Sequence, residues 1–531
     1  MTFISVEFAI FFAVSVLVYY LIPHKFRAAW LTLSSIVFYL FSGPLSAVYI
    51  LSTSLVTFFC ALGAGKTREE FYSKSKELKK TLPEEEFLKL QKKAAAKKRF
   101  FTALPLTVNL GILVALLYLN FILENVFKIA GAQFTALNLL VPLGLSFYTF
   151  AAVGYTIDVS RGKYPPERNP INFLLFMTYF PHVTNGPIPR YEKIAPEFRK
   201  ERKFDYDTFT DGLRLCLWGV FKQLVVAGSV SPYVSRLVKD GASLGGAGVW
   251  FGMILWGVEL YASFSGSIDF VRGLSECYGI PLGENFKRPY FALNLTDYWN
   301  RWHITLSDWL KDYVFYPMAL SGRFARFSKF LKKKFGKFVA KTLPVGLLSL
   351  FLFTLVGLWH GANWGEILFG VFNGVVIMIS TFLEPLFVKI RPKLGMDKHG
   401  FWRVFRSVRT FVIITLTRVI SKAPSVGVAM SWYGGMFLSP GFAKFGEFVA
   451  SEGGARKLLL SLLPAIIGVA ALFAVSLIEE KKDDCRAVRS ALRERHVLRV
   501  LLEVLLLTAV IILGSYGIGY DASNFVYPPR P

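Results

Sequence analysis

Two histidines stand out by what surrounds them. His360 lies in Gly357-Leu358-Trp359-His360-Gly361-Ala362-Asn363-Trp364-Gly365, at the junction of two strongly apolar stretches. A neutral imidazole in such a place suits a general base at neutral pH. A packing histidine would not need the flanking glycines, which leave room for close approach of backbone or ligand. His303 lies in Thr296-Asp297-Tyr298-Trp299-Asn300-Arg301-Trp302-His303-Ile304-Thr305-Leu306-Ser307-Asp308-Trp309-Leu310-Lys311-Asp312-Tyr313. That run is too polar to span a bilayer and too aromatic for an ordinary loop, and it reads as short helices lining a wet cavity from the cytoplasmic side. Polar residues inside otherwise apolar segments are costly to bury and mark function. His182, in the broken segment from Tyr179 to Pro187, reads equally as a structural hydrogen-bonding residue and as a functional one. His24, His399 and His496 lie in basic loops and read as solvated. Arg301, Asp308 and Asp312 could orient a site or screen phosphates, although the two aspartates read better as helix-end ion pairs.

Other chemistries have less support. The four cysteines, Cys60, Cys216, Cys277 and Cys485, are far apart in sequence, so neither a disulfide framework nor a CxxC metal site is indicated. Gly65-Lys66-Thr67 resembles the end of a phosphate-binding loop, but position 60, where that loop needs glycine, is cysteine. No Gly-x-Ser-x-Gly or His-Glu-x-x-His occurs, and no ligand cluster points to a metal.

The elements that must position the histidines are membrane helices. Of 531 residues, 53% are hydrophobic and only 18% charged, whereas about a quarter of a soluble protein's residues are charged. The expectation is an all-α, polytopic transmembrane protein forming one domain over 1–531, with about twelve spans plus re-entrant and interfacial helices. Candidate spans are 3–22, 28–42, 44–63, 100–126, 134–158, 207–235, 247–265, 343–359, 364–388, 405–421, 457–478 and 497–516. The first lacks a basic start and a small-residue cleavage pattern, so it reads as a retained span. Net charge is +25, and the basic residues fall in short blocks between spans, as in cytoplasmic loops near anionic lipid and unlike a nucleic-acid binder. All these blocks lie on one side if both termini are extracytoplasmic. That topology requires 171–189 to enter and leave from the cytoplasmic side, and 265–341 to stay on that side or dip in as the catalytic region. Helices over 343–388 carry His360, and 389–531 supplies C-terminal helices. The block 66–99, within a charged cytoplasmic loop at 64–99, holds twelve Lys or Arg and six Glu and reads as an exposed helical hairpin. In 323–341 phenylalanines alternate with Lys and Arg, as in an amphipathic helix in the headgroup plane.

The Trp299-Asn300-Arg301-Trp302-His303 run and Leu358-Trp359-His360-Gly361 resemble the two signature regions of the membrane-bound O-acyltransferase (MBOAT) family, in its alginate O-acetyltransferase (AlgI-like) branch. Supporting matches are Asn185-Gly186-Pro187-Ile188-Pro189-Arg190-Tyr191, Phe264-Ser265-Gly266-Ser267-Ile268-Asp269, Val141-Pro142-Leu143-Gly144-Leu145-Ser146-Phe147, Lys422-Ala423-Pro424-Ser425 and Tyr516-Gly517-Ile518-Gly519-Tyr520-Asp521. The resemblance implies a tunnel through the membrane, open to an acyl donor inside and an acceptor outside. His360 matches the family's catalytic histidine and would be the base. His303 holds the place of the second functional residue and, or a nearby backbone N–H, would stabilise the oxyanion. Trp299, Asn300, Arg301, Trp302, Trp359 and Asn185 are the expected substrate contacts. No bound cofactor is implied. The donor would be acetyl-CoA or an acyl carrier thioester, and the acceptor a cell-envelope polysaccharide, reached alone or through an extracytoplasmic acyltransferase partner. Two departures stand out: Asn373-Gly374 where the branch often has His-Gly, and the altered ending Phe525-Val526-Tyr527-Pro528-Pro529. The competing readings are D-alanyl transfer to teichoic acid from a carrier protein, and a lipid or polysaccharide transporter, for which internal repeats are expected and not seen.

Overall fold

The computed structural model describes residues 3–241, 243–395 and 400–516. Among them every regular element is helical, and the one extended pairing is an antiparallel bridge between Phe286 and Trp302. Eight helical stretches are long and apolar enough to cross a membrane: Pro44–Tyr72, Glu84–Leu117, Tyr206–Asp240, Gly245–Cys277, Gly322–His360, Trp364–Lys393, Ala455–Lys482 and His496–Leu513. Four further expected spans correspond to the helices Val6–Leu21, His24–Phe41, Leu145–Arg161 and Gly400–Lys422, which are shorter or less apolar. The expectation for 134–158 needs correcting at its start. Residues 132–144 are not helical, because Gly144 takes a left-handed φ of 71° after Pro142 and Asn120 ties Leu137 down through both its N–H and its C=O. The helix Gly245–Cys277 runs unbroken past Ser265.

The helices run between two polar faces. At one, Arg168 pairs with Glu69 at 2.8 Å, Arg190 with Asp312 at 2.9 Å, Lys163 with Glu192 at 2.7 Å and Arg489 with Glu276 at 3.0 Å. Basic blocks distant in sequence thus meet on one surface. On the opposite face Tyr118 donates to the Leu358 carbonyl, Trp364 to Asn125, and the backbone of Ala247 to Pro440.

Three irregular segments follow from their composition. Residues 66–99 form a helical hairpin in which Phe71 packs on Phe87 and Ala94. The proline-broken stretch holds two short helices, Pro170–Thr178 and Phe180–Val183, whose residues 175–177, 179 and 180 are fully buried; irregular backbone survives at such depth only when protein surrounds it. The helix Gly322–His360 is two segments that meet at Gly336, which has a φ of 84° that only glycine adopts freely. The first segment carries Arg323, Arg326, Lys329, Lys332, Lys333 and Lys334 and the exposed Phe327, Phe330 and Phe335, while the second, after Lys337 and Lys341, runs as an apolar helix to His360. His399 and the motif residues after Tyr516 lie outside the described residues.

Candidate active site

His303 is held by tertiary contacts. The helix Leu295–Arg301, capped by the Asn294 side chain, stops at Trp302, and His303 adopts φ 48°, ψ 54° before Ile304–Leu310 begins. That left-handed conformation costs a non-glycine residue about 1–2 kcal/mol. A short ribbon offsets it: Lys287 N–H donates to the Arg301 carbonyl at 2.9 Å, and Ile304 N–H to the Asn285 carbonyl at 3.0 Å. The Asn285 side chain, fully buried, completes the lock. Its Oδ1 accepts from Thr305 N–H (3.0 Å) and Thr305 Oγ1 (2.9 Å) and lies 3.2 Å from His303 Nδ1. An oxygen that already accepts from a backbone N–H requires Nδ1 to be the donor, so neutral His303 carries its lone pair at Nε2. Nε2 has no hydrogen-bond partner among the described residues. Burial above all, and the neighbouring His360 second, push the His303 pKa down to about 3, so this connection between spans presents a neutral ring.

His360 is held by helix packing. It ends the helix Gly322–His360, and the return helix Trp364–Lys393 starts four residues later behind an Asn363 cap whose side chain accepts from Glu366 N–H at 2.9 Å. The two helices touch backbone to backbone. A Cβ on Gly370 would sit 2.2 Å from the Phe353 carbonyl oxygen, and one on Gly357 2.3 Å from that of Glu366. Close approach is therefore demanded at Gly357 and Gly370, whereas Gly361, next to the histidine, is less crowded. Trp359 packs edge-on against His303, with ring centres 5.3 Å apart, and so joins the two histidine segments.

Two cavities meet at His360. The larger, about 300 Å³, has both histidines, Trp299 and Asn300 in its walls. It follows the helix from Val345 to His360, about 22 Å at 1.5 Å per residue, and reaches Lys311 and Tyr316 toward the basic face. Lys311 Nζ donates to Asn300 Oδ1 at 2.8 Å. The smaller cavity, about 60 Å³, lies on the opposite side of His360, among Tyr118, Ser146, Thr184 and Trp359.

The remaining expected contacts divide. Trp299 and Asn300 line the larger cavity and Trp359 the smaller. Arg301 is not in either wall: it pairs with Asp297 and Glu480, both at 2.8 Å. Trp302 is buried behind the ribbon, stacked on Tyr298 and 4.6 Å beneath the Arg418 guanidinium. Asn185 is buried in the turn after Thr184, which lines the smaller cavity. Asp308 and Asp312 pair with Lys311 and Arg190. Asn373 is fully buried, and its Oδ1 accepts from Trp299 Nε1 at 3.3 Å, so it positions a wall residue. The sequence reading missed Asn285, whose setting in Gly283-Glu284-Asn285-Phe286 looks like an ordinary turn, and Arg418, which looks like one more basic residue. Among the described residues no group of three His, Cys, Asp or Glu could hold a metal ion.

Comparison with known proteins bears on the same segments. The chain is 30% identical over 354 residues to the probable alginate O-acetylase AlgI of Azotobacter vinelandii, covering 66% of this chain and 64% of that one, a little under two thirds of the relative's length. It is 26% identical over 437 residues to the peptidoglycan O-acetyltransferase of Helicobacter pylori, covering 77% of this chain and 74% of that one. To the teichoic acid D-alanyltransferase of Bacillus subtilis it is 30% identical over 254 residues, covering 46% and 60%. Residues 167–421 match the MBOAT description, membrane-bound O-acyltransferase family. That stretch, a little under half of the chain, runs through both histidines and the helices that carry them, and it is the part of the chain that is similar to the membrane-bound O-acyltransferase family.

Proposed function

We propose that the protein transfers an acyl group, acetyl in the favoured reading, from a thioester donor to a hydroxyl of a cell-envelope polysaccharide, with His360 as general base. One observation carries this: His360 lies in the walls of two cavities, a long one extending toward the basic face and a small one toward the opposite face. A donor arm from one side and a hydroxyl from the other can converge on one imidazole only in such an arrangement. We take the basic face as cytoplasmic, which puts both termini on the extracytoplasmic side and the larger cavity toward the donor. Lys311 and the basic blocks suit the phosphates of acetyl-CoA or of a carrier's prosthetic arm.

In the reaction the hydroxyl oxygen attacks the thioester carbonyl carbon while His360 takes its proton. The tetrahedral intermediate collapses, the C–S bond breaks, and the leaving thiolate takes the proton back from the imidazolium. The products are an ester and a free thiol. His303 would be an oxyanion donor only as a cation, which burial opposes. Its neutral form offers a lone pair at Nε2, so we assign it a hydrogen bond from the incoming hydroxyl and leave the oxyanion to backbone N–H groups, each worth about 3–4 kcal/mol in comparable acyl transfers. Trp299, held by Asn373, walls the donor arm, and Trp359, packed on His303, walls the smaller cavity.

The test offers radiolabelled acetyl-CoA and envelope glycan to purified wild-type and His360→Ala protein. Label should pass to glycan with the wild type alone; equal labelling by both removes the base assignment. The similarity to the Bacillus subtilis teichoic acid D-alanyltransferase supports a second reading, D-alanyl transfer from a carrier protein. Labelling from a D-alanyl carrier thioester in place of acetyl-CoA would select it.

A further inference from the structure

The helix Ala455–Lys482 lies beyond residues 167–421, yet its end reaches the ribbon that holds His303. There Glu480, a carboxylate only 10% exposed, meets three guanidiniums from three different elements. Its Oε2 lies 3.0 Å from Arg288 Nε and 2.8 Å from Arg301 Nη1, and its Oε1 lies 2.9 Å from Arg403 Nη2. Arg288 and Arg301 sit at corresponding ends of the two paired segments, Arg288 just after Lys287 and Arg301 just before Trp302. Arg288 is buried and, like His303, holds a left-handed backbone, with φ 50°. The carboxylate therefore ties together both segments of the ribbon and the helix Gly400–Lys422 that carries Arg403.

We propose that Glu480 is a positioning residue of the acyl-transfer site, acting through Arg288 and Arg301 on the segments that aim His303. The proposal rests on the reading of His303 as part of that site. Charge decides the matter more than packing. Without the carboxylate, the poorly solvated guanidiniums of Arg288 and Arg301 remain side by side with the more exposed Arg403 nearby, and like charges repel most where water screens them least. Arg301 keeps Asp297, and Arg288 keeps the more exposed Asp483. Neither carboxylate bridges the two arginines, so the segments lose their common anchor.

The experiment compares full-length wild type, Glu480→Gln, Glu480→Asp and the surface control Glu384→Gln in detergent, by hydrogen–deuterium exchange and by acetyl transfer kinetics. In Glu480→Gln, exchange across 283–306 should quicken about tenfold while Gly245–Cys277 and Trp364–Lys393 stay unchanged. Its kcat should fall about tenfold or more with donor KM within about twofold, and Glu480→Asp should recover part of both. Glu384→Gln, which removes an exposed pair with Arg391, should match wild type. Unchanged local exchange overturns the proposal, as does faster exchange throughout the molecule, which would make Glu480 a general stabiliser. Local loosening with full turnover overturns the positioning role. If the wild type transfers no acetyl group, the exchange result still decides whether Glu480 anchors the ribbon, and the acyl-transfer reading fails separately.

Discussion

The two histidine segments reach the same cavity by opposite means. His360 stands at the end of a continuous helix whose seam with its neighbour is set by the glycine contacts at Gly357 and Gly370. His303 stands at a break between two seven-residue helices, in a conformation held by Asn285, a two-bond ribbon and a cluster of charges. One imidazole is placed by the shape of close-packed helices, the other by particular hydrogen bonds. Packing tolerates polar substitution nearby but no added volume. A hydrogen-bond lock tolerates volume poorly and loss of its acceptor worse. The lock also assigns proton chemistry, since Asn285 dictates the tautomer of His303.

The largest effect should come from removing the helix-borne ring. His360→Ala is expected to cost about 10²–10⁴ in kcat, the range of a lost general base, with unfolding temperature in detergent close to wild type. A fall of less than about tenfold would move the base to His303. Next, Gly357→Val should wedge the two helices apart. It should destabilise by about 3 kcal/mol, as overpacking does, and lower turnover about a hundredfold by displacing His360. Thermal unfolding and kcat measured together check this, and normal values for both would show that the seam can yield.

The lock should respond to chemistry before volume. Asn285→Asp sets a carboxylate against His303 Nδ1, and an adjacent opposite charge raises a histidine pKa by about 1–3 units. The acid limb of the rate profile should then move to higher pH, with turnover lost as pH falls through the raised pKa, where the proton occupies Nε2. Asn285→Leu, which leaves Nδ1 without an acceptor, should lower turnover at every pH without moving the limb. An unmoved limb in Asn285→Asp would take the tautomer argument away. The smallest change is expected at Asn373→Ala, which frees Trp299 but touches neither ring: a fewfold rise in donor KM at nearly constant kcat, read by steady-state kinetics.

Much of this was legible in the chain. The membrane helices announce themselves through runs of apolar residues, and the basic blocks mark one face by position alone. His360 was visible because a histidine between two apolar spans has few cheap explanations. The 66–99 hairpin follows from its charge pattern, whereas the break at Gly336, inside the stretch expected to be one amphipathic helix over 323–341, came from the structure. Arg301 and Trp302, expected at the substrate, turned elsewhere. A contiguous motif places neighbours on different sides of a helix end, and only the packing around it says which side is the cavity.

What the sequence determined by itself was therefore local: helix, span, polarity of each end, and the residue types able to carry a proton. The tertiary structure decided the rest. Asn285 and Glu480 matter because they meet His303's ribbon from eighteen residues upstream and from a distant C-terminal helix, and no periodicity records such a meeting. Hydropathy reads each residue against solvent or lipid. The orientation and tautomer of a buried imidazole depend on which single atoms lie within about 3 Å, and chain folding alone brings those atoms there.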